Sequence, residues 1–363
     1  MVAPPYTAGL HQLTQSTYAY LRPPGSWGQS NCGLITGGHD AVLVDTQFTK
    51  PLTRRLIDTI GERVPDVTVT TVVNTHANGD HCWGNDLFPL SVIVSSRSTA
   101  DGMADEIPPD RLAELIGSTP ADSPLGSYLR RYFGGFDFSE ISVTQPTCAF
   151  TGEMEIDAGG TAIRLIEVGP AHTDGDVIAY VPDQGVVFAG DILFIGDHPI
   201  MWTGPIENWI DACSRIVKTG AETIVPGHGP VTDAVGVAGF RGYLEHIAEQ
   251  AERRHRAGMP YWEAAVDIPL PERYAGWGHR ERLVITTAAM YRNLGCDEPT
   301  DLMSVLTRMA EVVRVQLESS ACLDRQGSVG VTGFRGARGR AAASVVWRAC
   351  VAGHGSGGAD RGA

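Results

Sequence analysis

The amino-acid sequence predicts an α/β protein with a helical extension at its C-terminal end. Three observations carry that expectation. Over the first 230 residues, short β-branched apolar runs alternate with stretches whose apolar residues recur at helical spacing. Several of the strand-like runs end in a turn that contains glycine. From residue 232 onward the pattern becomes mainly helical.

Taken in order, residues 33–46 (GLITGGHDAVLVDT) read as two strands about a Gly-Gly turn. Residues 50–62 read as a helix with Leu52, Leu56, Ile57 and Ile60 on one side. The β-branched run 67–76 (VTVTTVVNTH) predicts a buried strand, and 91–96 (SVIVSS) another. Residues 100–140 carry Pro, Gly and Asp around short helical pieces at 111–116 and 127–133, the pattern of an inserted helical cap. Segments 161–169 and 176–194 supply three more strands. Pro205 opens a helix whose Ile206, Ile210, Cys213 and Val217 share a face, and Gly220 closes it. Residues 223–229 (TIVPGHG) form a strand ending in a glycine-rich turn. An amphipathic stretch at 300–318 carries Leu302, Leu306, Met309, Val313 and Leu317. The expected organisation is therefore one domain over 1–300, a helix over 300–325, and a Gly/Ala/Arg-rich tail over 326–363 that reads as flexible.

Composition narrows the function. The 363 residues are 43% apolar and carry a formal net charge of −14, which suits a large core and argues against nucleic acid or an anionic membrane as partner. No apolar run reaches the ~20 residues of a membrane helix. The N-terminal residues lack the basic start and apolar core of an export signal, so a cytoplasmic protein is expected. The seven cysteines show no C-x-x-C spacing and read as free thiols of a reducing compartment. Only Lys50 and Lys218 among the 28 basic residues are lysines, a bias of GC-rich coding that fits a bacterial source. A homodimer is the commonest oligomeric expectation.

Four strand-ending segments hold metal-ligand residue types: THANGDHCWGN, GPAHTDGD, FAGDILF and VPGHGP. They supply His76, Asp80, His81, His172, Asp191 and His228. Singly, each reads as a turn former or a solvated histidine. Together, each on a turn that contains glycine, they point to a metal site. Imidazole and carboxylate are the donors that zinc accepts at ~2.0–2.2 Å.

The run His76-Ala77-Asn78-Gly79-Asp80-His81, with His172, Asp191 and His228 after it, resembles the metallo-β-lactamase-fold hydrolases. Their signature is H-x-H-x-D-H, then a histidine, a bridging aspartate and a final histidine. Asp45, which closes LVDT, matches the acidic residue that ends an early strand in that family. The resemblance spans about residues 10–230 and implies a four-layer αββα sandwich with metals on one edge. It makes Asp191 the bridge between two metal positions.

One position departs from the pattern. Asn78 stands where the second histidine is expected. The resemblance then implies a complete position at Asp80, His81, Asp191 and His228, and a weakened one at His76, Asn78 and His172, because an amide oxygen is a weak zinc ligand beside imidazole. The expectation is one tightly bound zinc and a weak second, with Asn78 a weak ligand or a holder of water. Iron and manganese remain admissible metals. His39 and His198 are the histidines considered as replacement ligands, His198 the better placed of the two.

A bound divalent ion lowers the pKa of its water from 15.7 to about 7 and polarises a carbonyl. The expected activity is thus hydrolysis of a small-molecule carbonyl substrate: an ester, thioester, lactone or amide. Asp80 is the candidate to orient the water or take its proton, and His172 or His76 a candidate general base. Trp83, Trp202 and Trp209 are candidates for the mouth of the pocket, as are the aromatic residues of the 100–140 insert. No basic cluster beside the ligand turns marks a phosphate or sulfate. The alternatives weighed are a non-haem iron oxidoreductase on the same fold and a non-catalytic metal-binding homologue. No G-x-S-x-G elbow, P-loop or dinucleotide fingerprint in strand–helix context is present.

Overall fold

The computed structural model describes residues 3–327. Residues 328–363, which hold nearly all of the Gly/Ala/Arg-rich segment, lie outside the described residues. Two sheets form the centre. The first has seven strands in chain order: β1 (Gly9–Gln12), β2 (Thr17–Leu21), β3 (Cys32–Gly37), β4 (Asp40–Val44), β5 (Thr68–Val73), β6 (Val92–Ser96) and β7 (Cys148–Phe150). Neighbours from β1 to β4 are antiparallel, and those from β4 to β7 parallel. The second sheet runs in the spatial order β12 (Thr223–Val225), β11 (Val186–Phe188), β10 (Val177–Val181), β9 (Thr161–Glu167) and β8 (Glu153–Ala158).

The alternation of side chains along β3 and β4 creates the layers, because successive residues of a strand point to opposite faces. Leu34, Ala41 and Leu43 pack with Leu56 and Ile60 of helix α1 (Lys50–Arg63). Ile35, Val42 and Val44, one register step away, pack with Ile163, Leu165, Val177 and Ala179 of the second sheet. The far side of that second sheet presents Ile166, Ile178, Val187 and Ile224 to the cluster that holds the core residues of α6 (Ile206–Lys218) and α7 (Ala234–Arg256). The order is helix, sheet, sheet, helix.

The chain also makes a one-turn helix, α2 (Gly79–Cys82), and three helices after β6: α3 (Arg97–Asp105), α4 (Pro109–Ser118) and α5 (Pro124–Phe133). Ser96 and Ser123 cap α3 and α5 by accepting from the backbone N–H of Thr99 and Gly126. After α7 come α8 (Tyr261–Asp267), α9 (Arg282–Asn293) and α10 (Leu302–Gly327). Residues 282–291 of α9 are buried all round, since α7, α8 and α10 pack against this helix. α10 also packs on α5. Among the described residues, no helix is long and apolar enough to cross a membrane.

Candidate metal centre

Every predicted ligand lies just past the C-terminal end of a strand. His76, Asp80 and His81 follow β5, His172 follows β9, Asp191 follows β11 and His228 follows β12. Asp45 follows β4. The structure brings all six ligand residues together. His81 Nε2 lies 3.2 Å from Asp191 Oδ1 and 3.9 Å from Asp80 Oδ2. His228 Nε2 lies 3.5 Å from both Asp80 Oδ2 and Asp191 Oδ2. His172 Nε2 and His76 Nε2 lie 3.4 and 3.8 Å from Asp191 Oδ2. Ligand atoms held tetrahedrally at 2.0–2.1 Å are separated by about 3.3 Å, so this spacing fits a coordinated ion.

The surroundings aim each imidazole. Asp45 accepts from His81 Nδ1 at 2.8 Å, and its carboxylate also accepts from the N–H and hydroxyl of Thr75 at 2.7 Å each. Asp45 holds φ at 64°, which turns the chain sharply at the strand end. His172 Nδ1 donates to the Ile200 carbonyl at 2.6 Å, and His228 Nδ1 to the Gly25 carbonyl at 3.1 Å. His76 Nδ1 lies 3.0 Å from the Thr75 hydroxyl. Each ring thus points Nε2 inward, the arrangement by which outer partners orient metal-binding histidines. Gly227 is needed for the closure: a Cβ there would stand 1.9 Å from Asp191 Oδ1.

Three inward atoms, His76 Nε2, His81 Nε2 and Asp191 Oδ1, are buried without a hydrogen-bond partner. Buried polar atoms are normally paired, and a cation supplies what these lack. The residues therefore fit a divalent metal. The charge balance agrees. Burial opposes charging of His81 and His228, yet the carboxylates of Asp191 and Asp80 hold His81 well above the usual histidine range and raise His228 to about 9. Asp191 stays well below the carboxylate range despite burial, because His228 and His81 face it. Burial lowers His76 and His172. Without a cation, protons on His81 and His228 balance the carboxylates.

Asn78 is held at both ends. Its Nδ2 donates to Glu106 Oε1 at 2.9 Å, and its Oδ1 lies 2.9 Å from His172 Nε2. Glu106 follows α3, in the inserted segment, and burial raises its carboxyl to about 7. Sequence reasoning missed this residue, because no ligand motif surrounds it. His39 and His198 do not replace the missing ligand. His39 sits in the exposed turn before β4 and bonds the Asp66 carbonyl. His198 is buried against Tyr243, 2.7 Å from its hydroxyl.

Asp80, His172, Asp191 and His228 line a cavity of about 290 Å³. Trp27, Phe48, Trp83, Phe133, Phe194 and Trp202 line it, with Leu302 and Leu306 of α10 on the same wall. Trp83 stacks on Phe48 at 4.9 Å. Trp209 is not at the mouth; it is fully buried and donates to the Ile192 carbonyl, because the face of α6 that carries it packs on the second sheet. Among the described residues, one arginine reaches the cavity, Arg282 of α9. It pairs with Asp197 at 3.0 Å and lies over the Trp27 ring at 4.8 Å. His279 bridges the same Asp197 (2.7 Å) to Ser26 (2.9 Å) and so ties the Trp27 loop to this wall.

Two sheets between helices, with three carboxylates and four histidines at their strand ends, define a metal-binding αββα protein. The sequence profile of the metallo-beta-lactamase superfamily matches residues 25–228, more than half of the chain, and the chain belongs to that superfamily. It is similar to the 2,4-dinitroanisole O-demethylase subunit alpha of Nocardioides sp. (strain JS1661), 25% identical over 202 residues, 53% of this chain and 51% of that protein. It is also similar to the beta-lactamase-like protein 2 homolog of Caenorhabditis elegans, 28% identical over 93 residues, 26% of this chain and 30% of that one. The chain thus spans about half the length of the first of these relatives, and less of the second. Among solved structures it resembles a metallo-beta-lactamase from Pontibacter korlensis, with a TM-score of 0.51 and 18% identity over 66% of this chain and 99% of that one. It also resembles a double mutant of the sec-alkyl sulfatase PisA1, with a TM-score of 0.61 and 16% identity over 88% of this chain and 57% of that one. These two likenesses are of fold.

Proposed function

We propose that the protein is a metal-dependent hydrolase of a small, largely apolar ester, thioester, lactone or amide, with zinc as its tightly held ion. One observation carries the reading: Asp80, His172, Asp191 and His228 of the ligand cluster line a cavity whose other walls are aromatic and aliphatic. Asp80, His81, Asp191 and His228 would hold the ion, whose chemistry when bound would be to polarise the scissile bond and to lower the pKa of water. The walls exclude bulk water and bind the apolar part of the substrate. Asp80 lines the cavity, so a carboxylate oxygen is placed to orient the attacking water and take its proton. His172 keeps a lone pair on Nε2, because its Nδ1–H is given to Ile200. That lone pair either accepts a proton or binds a second ion. Arg282 is neutralised by Asp197, which disfavours a strongly anionic substrate.

The aromatic rings of the wall favour one variation, an aryl substrate. Similarity to the dinitroanisole demethylase makes an aryl ether worth testing beside aryl esters. The experiment is a steady-state screen of zinc-loaded protein against nitrophenyl esters of two to eight acyl carbons, thioesters, lactones and 2,4-dinitroanisole. The expected result is metal-dependent turnover that rises with apolar bulk and is abolished in Asp191→Asn. Turnover that survives chelation and metal removal, or a preference for charged substrates over apolar ones, would refute the reading.

A further inference from the structure

The amide of Asn78 has a fixed direction. Its Nδ2 donates to Glu106 Oε1 at 2.9 Å, and its oxygen is thereby turned toward His172, 2.9 Å from Nε2. His172 Nδ1 is taken by the Ile200 carbonyl at 2.6 Å, so Nε2 is its inward atom. Asn78 Oδ1 lies beside that inward nitrogen. Asp191 Oδ2 lies 3.4 Å from the same His172 nitrogen, and His76 Nε2 lies 3.8 Å from that oxygen. His76 Nε2 has no other partner. Asn78 Oδ1, His172 Nε2, Asp191 Oδ2 and His76 Nε2 thus form a run of neighbouring inward atoms that shares Asp191 with the group at Asp80, His81 and His228.

We infer that Glu106 is a positioning residue for a second metal ion: it holds the Asn78 amide so that Oδ1 serves as a ligand beside His76, His172 and Asp191. The inference rests on reading the strand-end cluster as a metal centre. It turns the departure at Asn78 from a lost ligand into an oxygen ligand whose orientation is set from the inserted helices. A hard oxygen donor in place of an imidazole also moves this position toward manganese or iron(II), relative to an all-histidine one.

The test is calorimetric titration of chelator-stripped full-length protein with Zn²⁺ and with Mn²⁺ at pH 8, with bound metal counted by elemental analysis. Wild type is expected to take up two ions per chain in two resolved events. Glu106→Gln can present either end of its amide to Asn78, so the weaker event should weaken a further 10–100-fold while the tighter is unchanged. Asn78→His in the Glu106→Gln background should restore two ions, because an imidazole needs no carboxylate to orient it. An unchanged second event in Glu106→Gln, or a single ion in wild type, overturns the inference and leaves the metal centre standing. Loss of both events in Glu106→Gln without rescue in the double variant also overturns it, since positioning touches only one site. No bound ion in wild type would sink the metal centre itself.

Discussion

Replacing Asp45 by asparagine should weaken the metal centre without unfolding the protein. Asp45 touches no inward ligand position, yet it accepts from His81 Nδ1 at 2.8 Å and from Thr75 through both oxygens at 2.7 Å. An asparagine fits the same space, and it tolerates the φ of 64° better than most residues. Its amide has one acceptor and one donor end. If the oxygen stays on the Thr75 N–H, the NH2 faces His81 and favours the tautomer with its proton on Nε2, where the ion would bind. If the amide turns over, its NH2 faces the Thr75 N–H. In the first arrangement an ion on Nε2 forces the proton back to Nδ1 and sets donor against donor at His81; in the second the same clash falls at the Thr75 N–H. Loss of such an outer partner costs 10–100-fold in metal affinity, about 1.4–2.7 kcal/mol. Competition with a chromogenic chelator measures it, with thermal unfolding of the metal-free protein as control. Zinc affinity within threefold of wild type would refute the claim that Asp45 sets the His81 tautomer.

Other perturbations have equally specific outcomes. Gly227→Ala places a Cβ 1.9 Å from Asp191 Oδ1, so metal content should collapse and overpacking should cost ~1–3 kcal/mol in urea unfolding; Gly239→Ala in α7, with open space around it, should instead stabilise by ~0.5–1 kcal/mol. Burial lowers His198 to about 3 against its usual 6.5, with Asp197 opposing, so between those values the unfolded chain binds a proton that the folded chain does not. Stability contributed by that site therefore falls as pH drops from 6.5 toward 3, by up to about 1.4 kcal/mol per pH unit. His198→Gln should flatten the pH dependence of urea unfolding over pH 4–6 by that slope, and parallel curves would refute the assignment. Zinc binding at pH 7 should release about two protons, from His81 and His228, read as the buffer dependence of the calorimetric heat; release near zero would contradict the charge balance.

The metal half of the site could be read from the sequence because it is encoded locally. Each ligand follows a β-branched run and sits on a turn that contains glycine, so residue type and spacing carry the position. The central strands were equally plain, since residues 33–46 and 67–76 alternate or are wholly apolar. Four strands were not. β1 and β8 are edge strands, and Gly9, Gln12, Glu153 and Glu155 give them little apolar pattern. β7 is three residues long, and Tyr18 and Tyr20 make β2 look like part of a loop-rich N-terminus. α3 escaped notice because Gly102 and its three aspartates and serines resemble turn punctuation. His198, the better placed of the two histidines considered as replacement ligands, stays out of the ligand set for a tertiary reason: Arg282 bonds its carbonyl and Tyr243 its ring, and these partners lie 84 and 45 residues away.

The cavity wall is encoded differently. Its residues come from the loops at Trp27, Phe48, Trp83, Phe194 and Trp202 and from the inserted helices, α9 and α10, which only the tertiary fold brings together. Arg282 and Leu306 have no local pattern that marks them as cavity residues, so substrate preference is a property of long-range assembly. The two halves are nevertheless coupled. Glu106 belongs to the inserted segment, yet it bonds Asn78, two residues from His76 and from Asp80. Ser96 and Thr99, at the start of α3, both donate to the Gly175 carbonyl in the loop that carries His172. An exchange of the inserted helices that alters substrate preference therefore also alters the support of the His76–Asn78–His172 half of the centre, whereas His81 and His228 lean on Asp45 and Gly25 and keep theirs.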